Sequence, residues 1–202
     1  MSERYVIGIC GGTGAGKGVV SSIFRLHGAF VIDCDAIARN TVAVGTPALA
    51  EIFGAFGLDY RMHDGSLDRK KLAERIFADE QAKQKLEHIT HPRIVSEIEQ
   101  QLAEHSGLVV IDAPLLFEAG VNDLCDCVIS VIADEKTRIE RIMSRDSISY
   151  ELACERIKGQ KSDDFLRRNS DYTIHNSSSV AKLDEQVKNI IIQIGFQESI
   201  ST

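Results

Sequence analysis

The sequence predicts an α/β fold, a three-layer sandwich of helices around a five-stranded parallel sheet. Three observations carry that expectation. Five β-rich runs are separated by helical patterns along the 202 residues. Two of the runs, Leu108-Val109-Val110-Ile111 and Cys127-Val128-Ile129-Ser130-Val131-Ile132, are near-continuously apolar, as strands covered on both faces must be. The first run, over residues 5–10, opens into Gly11-Gly12-Thr13-Gly14-Ala15-Gly16-Lys17 and then Val19-Val20-Ser21-Ser22-Ile23-Phe24, whose apolar spacing suits a helix. Strand, glycine loop and helix is the context in which Gly-x-x-x-x-Gly-Lys signals a phosphate-binding loop.

Taken in order, the chain begins with a strand at 5–10, the loop, a helix at 17–27, a C-terminal cap at Gly28 and a strand at 29–32. Such a βαβ crossover is expected to set its strands side by side, delivering Asp33 and Asp35 to the carboxyl edge beside the loop. If the strand continues, both carboxylates face one way. Residues 36–105 read as mainly helical: Leu67 to Phe77 and Ala82 to Ile89 carry apolar residues three and four apart. Pro47 and Pro92 mark expected element starts, while Gly54, Gly57 and Gly65 interrupt the pattern. An insertion this long suits a substrate-binding subdomain. The strand at 108–111 ends in Asp112 and Pro114, and the strand at 127–132 ends before Ala133-Asp134. Two charged helices follow, near 135–145 and 149–161, with Arg138, Arg141, Arg145, Arg156 and Lys158. Tyr172-Thr173-Ile174 forms a short last strand. Val180, Leu183, Val187, Ile190, Ile191 and Ile194 then define an amphipathic terminal helix.

Composition narrows the function classes. A formal net charge of −7 argues against a general nucleic-acid binder, which needs an excess of Lys and Arg on one face. No apolar run approaches the roughly 20 residues that span a bilayer. The first residues carry no secretion signal, and the five scattered cysteines form no Cys-x-x-Cys pair, so a cytoplasmic location is expected.

The chemistry starts at the loop. Its glycines let consecutive N–H groups turn toward one anion, and the helix N-terminus adds its dipole. Lys17 is placed to reach the β- and γ-phosphates of a nucleotide. The next position normally supplies a hydroxyl ligand to Mg²⁺ but is Gly18, and water is the expected substitute. Ser21 and Ser22, a turn further along the helix, are poor replacements. Asp33 and Asp35 are candidates for metal organisation and for accepting or orienting a hydroxyl proton, with a helix cap the alternative for Asp35. Asp112 sits where a strand-end carboxylate contacts metal-bound water, or simply ends the strand before Pro114. His91 caps or orients the helix after it. Arg138, Arg141 and Arg145, spaced three and four apart, make a basic face suited to phosphates or a solvated face paired with Glu135, Glu140 and Asp146.

Together these segments resemble the dephospho-coenzyme A kinase family through almost the whole chain. The matching blocks are the glycine loop, Val31-Ile32-Asp33-Cys34-Asp35-Ala36-Ile37-Ala38-Arg39, Gly65-Ser66-Leu67-Asp68-Arg69 through Phe77, and Leu86 to Ile94 around Thr90-His91-Pro92. The run Asp112-Ala113-Pro114-Leu115-Leu116-Phe117-Glu118 sets the family apart from other P-loop kinases. Arg141, Arg145, Arg156 to Gln160, and Ser170-Asp171-Tyr172-Thr173-Ile174 before Asn176 complete the match.

The resemblance implies a P-loop nucleotide-kinase-like fold in a single unit. Its CORE would comprise residues 1–35, 88–134 and 170–202, with a helical coenzyme-A-side region at 36–87 and a LID at 135–169. It implies ATP, Mg²⁺ and transfer of the γ-phosphate to the ribose 3′-hydroxyl of dephospho-CoA. Catalytic roles fall to Lys17, Asp35, Arg141 and Arg145. ATP contacts fall to Gly12, Thr13, Gly14, Ala15, Gly16, Lys17, Gly18, Val19 and Asn176. Acceptor contacts fall to Asp35, Arg69, Phe77, His91 and Leu115, and the metal side to Asp33 and Asp112 through water. A monomer or weak homo-oligomer without nucleic-acid or membrane partners is expected. Three departures stand out: Gly18, Ser170 before Asp171 in place of the usual alanine, and Asn176-Ser177-Ser178 in place of Asn-x-Gly. Two other readings remain: a nucleotide- or CoA-precursor-binding homologue with impaired turnover, and a kinase of another nucleotide-like substrate.

Overall fold

The computed structural model describes residues 4–177 and 179–196. They form two compact units, one of the residues through Asp33 with those from Glu104 onward, the other Cys34–Ala103. The first contains a five-stranded parallel sheet of β1 (Tyr5–Cys10), β2 (Phe30–Asp33), β3 (Leu108–Asp112), β4 (Cys127–Ile132) and β5 (Tyr172–His175), in the order β2-β3-β1-β4-β5. The helices are α1 (Lys17–Leu26), then α2 (Cys34–Thr41), α3 (Pro47–Phe56), α4 (Arg69–Ala78) and α5 (Glu80–Glu104). Beyond β4 come α6 (Glu135–Asp146), α7 (Tyr150–Lys158), α8 (Asp163–Arg168) and, after β5, α9 (Val180–Gln193).

Ile7, Ile9, Val110, Ile129, Val131 and Ile174 project from one face of the sheet and pack with Ile23 and Phe24 of α1 and Leu183 and Val187 of α9. Their strand neighbours Val6, Val109, Ile111 and Val128, which point the other way, are also buried. Both faces are therefore covered, which explains the near-continuous apolar runs. All five cysteines are free thiols, and burial pushes the Cys10 thiol above its usual pKa.

The strand order corrects one expectation. β3 lies between β1 and β2, so Asp33 stands next to Asp112 rather than beside the loop. The reason is hydrophobic: β3 is buried along its length and takes an interior place, whereas β2 is half-buried over Phe30 and Val31 and suits the edge. This order makes the β1–β3 junction the topological switch point, where open α/β sheets take ligands at the carboxyl edge.

In the second unit, Leu49, Ile52, Leu67, Leu72 and Ile89 form a separate core. Thr46 caps α3, accepting from the Leu49 N–H at 3.3 Å, and Pro47 starts the helix as expected. Pro92, by contrast, lies inside α5. One lost backbone bond does not break a helix of 25 residues, so the boundary expected between residues 87 and 88 falls within continuous helix. Gly54 likewise stays within α3, while Gly57 ends it. After α7 the chain adds a helix not foreseen, α8, capped by Ser162 and begun by Asp163 and Asp164.

Candidate active site

The glycine loop joins β1 to α1 through two left-handed residues, Gly14 at φ 76° and Gly16 at φ 88°. A side chain at Gly16 would also collide with the Asn176 amide. The loop's carbonyls are held from outside. Asn176, buried, donates from Nδ2 to Ala15 O at 2.8 Å. Arg141 donates to Gly14 O at 3.2 Å, Ala15 O at 3.5 Å and Asn176 O at 3.1 Å. With those carbonyls fixed, the N–H groups of Lys17 and Gly18 at the start of α1 have no intrahelical acceptor, the arrangement that favours an anion at a helix N-terminus. Lys17 and Gly18 are the first two residues of that helix and Val19, half exposed, the third.

The expected basic face is divided. Arg138 is only 5% exposed and turns beneath the loop, donating from Nε to Thr13 O at 3.0 Å and from one terminal nitrogen to Asp163 at 3.1 Å. Gln160 joins them: its side-chain oxygen accepts from the Thr13 N–H at 2.7 Å and from Arg138 at 3.4 Å. Arg145 is exposed, donates to both oxygens of Asp146 at 2.7 and 2.9 Å and reaches Thr13 Oγ1 at 3.2 Å. Arg156 pairs with the same carboxylate. The hydrogen bonds from Arg145, and the two positive charges, hold the Asp146 carboxyl below its usual pKa. Of the three arginines, Arg138 and Arg141 thus brace the loop's backbone, and Arg145 alone meets a side chain of it.

On the other flank, Asp33 and Asp112 are register partners at the ends of β2 and β3, and Ile9 of β1 pairs with Asp112. Ser21, buried in α1, donates its hydroxyl to Asp112 Oδ2 at 2.7 Å. Gly18 faces open space: a Cβ there meets no atom within 4 Å outside its own helix backbone. Among the described residues no group of three or more His, Cys, Asp and Glu could hold a metal. Two carboxylates side by side at a phosphate-binding edge nonetheless fit Mg²⁺, which takes one or two carboxylates and fills its remaining positions with phosphate oxygens and water.

The remaining candidates lie mostly in the second unit. Asp35 is in the first turn of α2, because β2 stops at Asp33 and helix begins at Cys34. The expectation of two carboxylates alternating along one strand, and that of Asp35 as the cap itself, are both replaced by a helical Asp35. Arg69 begins α4 and donates to Arg39 O at 3.1 Å. Phe77, near the end of α4, is 95% exposed. His91 is inside α5 and half-buried, so it caps no helix. Leu115, in the first unit, is exposed in the turn after β3. At the departure 176–178, Ser177 Oγ accepts from the Asp134 N–H at 3.1 Å, and Ser178 lies outside the described residues. Sequence reasoning named Gln160 only as the end of a matching block, without a role, and did not foresee Asp163 or the Ser21–Asp112 bond. For Asp163 the available signal is Ser162-Asp163-Asp164, a helix start.

A parallel sheet with a lysine-tipped glycine loop at its switch point, flanked by strand-end carboxylates and arginines, defines a P-loop phosphotransferase of the small-molecule kinase type. A sequence profile of the dephospho-CoA kinase family matches residues 5–182. The chain belongs to that family. It is 40% identical over 186 residues to the dephospho-CoA kinase of Syntrophotalea carbinolica, covering 90% of this chain and 88% of that one. Among solved structures, TT1252 from Thermus thermophilus superposes with a TM-score of 0.84 at 27% identity, over 96% of this chain and 99% of the other. The dephospho-CoA kinase from Campylobacter jejuni gives 0.67 at 28% identity, over 94% and 96%. Among the described residues, no helix is long and apolar enough to cross a membrane.

Proposed function

We propose that the chain transfers the γ-phosphate of ATP to the ribose 3′-hydroxyl of dephospho-CoA, giving CoA and ADP. The observation that carries this reading is the glycine loop with Lys17 at the sheet's switch point, within a chain that matches the family along most of its length. The 3′-oxygen attacks the γ-phosphorus, the bond to the β–γ bridging oxygen breaks, and the hydroxyl proton passes to Asp35. Asp35 follows Asp33 by two residues, which ties it by chain connection to the carboxyl edge. The stretch from Gly12 to Val19 lines the ATP phosphates, with the Lys17 and Gly18 amides at the helix start as donors, and Asn176 holds the loop on the adenine side. Lys17 and Arg145 offset the charge that builds on the transferring group, and Arg141 keeps the loop in shape.

Asp33 and Asp112 are the residues that would hold Mg²⁺ through water, and the ion supplies charge neutralisation for the phosphates when bound. In this reading acceptor contacts fall to Arg69, Phe77 and His91 of the second unit and to Leu115 of the first, with 36–87 the helical substrate region the family pattern implies and 135–169 the LID. A cytoplasmic monomer or weak homo-oligomer, without nucleic-acid or membrane partners, completes the reading.

The test is a steady-state assay with dephospho-CoA, ATP and Mg²⁺, scored for a 3′-phosphorylated product. Product formation is expected. Folded protein that binds ATP and makes no product would overturn the assignment and favour the second reading, a nucleotide binder with impaired turnover. Gly18 is the observation behind that alternative, because the loop's hydroxyl ligand is missing.

A further inference from the structure

We propose that Ser21 is a positioning residue for the metal side of the site, setting the orientation of Asp112 from the second turn of α1 because no side chain at position 18 can do so. This rests on the phosphotransfer reading above. The two adjacent serines of α1 provide an internal comparison. Ser22 is exposed and donates to the Gly18 carbonyl at 2.7 Å, the default of a helical serine whose hydroxyl folds back one turn. Ser21 has the same option, its own Lys17 carbonyl at 3.1 Å, but lies closer to Asp112 Oδ2, at 2.7 Å. A hydroxyl has one proton, and a carboxylate at the shorter distance is the stronger acceptor.

The location makes that choice consequential. Ser21 is 4% exposed among Val20, Ile23 and Phe24, where packing alone favours an apolar residue, and a buried hydroxyl is costly unless it is bonded. The bond spans 91 residues and links the helix that carries Lys17 to the end of β3. It fixes one oxygen of Asp112 against α1 at the edge where Asp33 is the register partner. Gly18, with nothing within 4 Å of its Cβ direction, gives no such support. Ser21 thus acts through the carboxylate, as a positioning residue.

The test is calorimetry of ADP binding with Mg²⁺ and with EDTA, on wild type, Ser21→Ala, Ser21→Thr, Asp112→Ala and the Ser21→Ala/Asp112→Ala double variant. Ser21→Ala is expected to lower the Mg²⁺-dependent gain in ADP affinity by roughly tenfold, the lower end for residues that orient a metal's partners. Affinity in EDTA stays within about twofold, because the amide cradle is untouched. Ser21→Thr keeps the hydroxyl and keeps most of the gain. In the Asp112→Ala background, Ser21→Ala costs nothing further. A wild-type gain that Ser21→Ala retains, or an equal loss with Mg²⁺ and with EDTA, would overturn the role of Ser21 alone. No Mg²⁺ gain in wild type would overturn both the role and the metal-assisted reading beneath it.

Discussion

The two flanks of the glycine loop are built differently. On the flank of α6, α8 and the end of β5, the side chains of Arg138, Arg141, Asn176 and Gln160 hold the backbone of Thr13, Gly14 and Ala15, with Asp163 anchoring Arg138 in turn. On the β3 flank, Gly18 contributes no side chain, and Ser21 braces Asp112 from one turn further along α1. One flank grips the loop's own backbone, and the other joins the helix that follows the loop to a strand-end carboxylate. The first sets the shape of the phosphate cradle, whereas the second orients a carboxylate beside it. Position 18 belongs to the second: none of the side chains that hold Thr13, Gly14 and Ala15 bonds to it.

The change expected to have the largest effect is Lys17→Ala. The loop's backbone bonds do not involve this side chain, so the fold should persist while the charge on the transferring phosphate is lost. We expect kcat/KM to fall by at least roughly 100-fold, the scale of deleting one strong transition-state contact. Steady-state kinetics beside a thermal melt decide it; near-normal turnover would show that Lys17 does not serve the phosphate.

Arg138→Met tests the braced flank directly. It keeps much of the buried volume while removing the donors to Thr13 O and Asp163. Leaving a half-exposed carboxylate and a loop carbonyl without that partner should cost about 2 kcal/mol of stability, the worth of a charge-assisted hydrogen bond. ADP affinity should fall with EDTA as well as with Mg²⁺, the opposite of the pattern expected for Ser21→Ala. A loss confined to the Mg²⁺ arm would mean that the flanks do not differ as described.

How much of this was legible in the sequence differs by flank. The strands were readable because β3 and β4 are buried on both faces and their apolar runs are unbroken. Strand order was not, since the place of β3 depends on competition for the sheet interior that no local pattern records. The glycine loop was recognisable from its spacing between an apolar strand and a helical pattern. The inward turn of Arg138 was not, because spacing of three and four groups residues on a helix without saying which neighbours they meet. For Asp35 the sequence offers a continuing strand or a helix cap, and neither holds, because β2 ends two residues earlier and helix begins at Cys34. Gln160 and Ser21 act through partners 147 and 91 residues away, separations at which one sequence carries no signal.

Gly18→Ser sharpens the comparison from the β3 side. The open space at Gly18 removes the steric objection, and serine adds one oxygen at the start of α1. The Mg²⁺ concentration for half-maximal activity should fall by up to roughly tenfold relative to Gly18→Ala, which stiffens the helix equally but supplies no ligand. Matching Mg²⁺ curves for the two variants would mean that the oxygen at this position is not used.

The smallest expected effect concerns the start of α6, on which all three arginines ride. Asp134 caps this helix, accepting from the Thr137 N–H at 2.9 Å and the Thr137 hydroxyl at 2.8 Å. The hydrogen bond from the Thr137 N–H, helped by those from Ser177 and the Thr137 side chain, lowers its pKa from the usual 3.8 to about 2. A carboxylate depressed in the folded state contributes stability that is fully present above its unfolded pKa and is lost as pH falls through the folded value. The contribution should therefore be constant above pH 5 or so and fade between 3.8 and about 2. Asp134→Asn keeps a capping oxygen but has no charge to titrate. The stability difference between wild type and this variant, measured by urea midpoints from neutral to acid pH, should be small throughout and shrink across that window. A difference that holds steady into acid would show that the cap works by shape alone, leaving the braced flank independent of charge at its helix start.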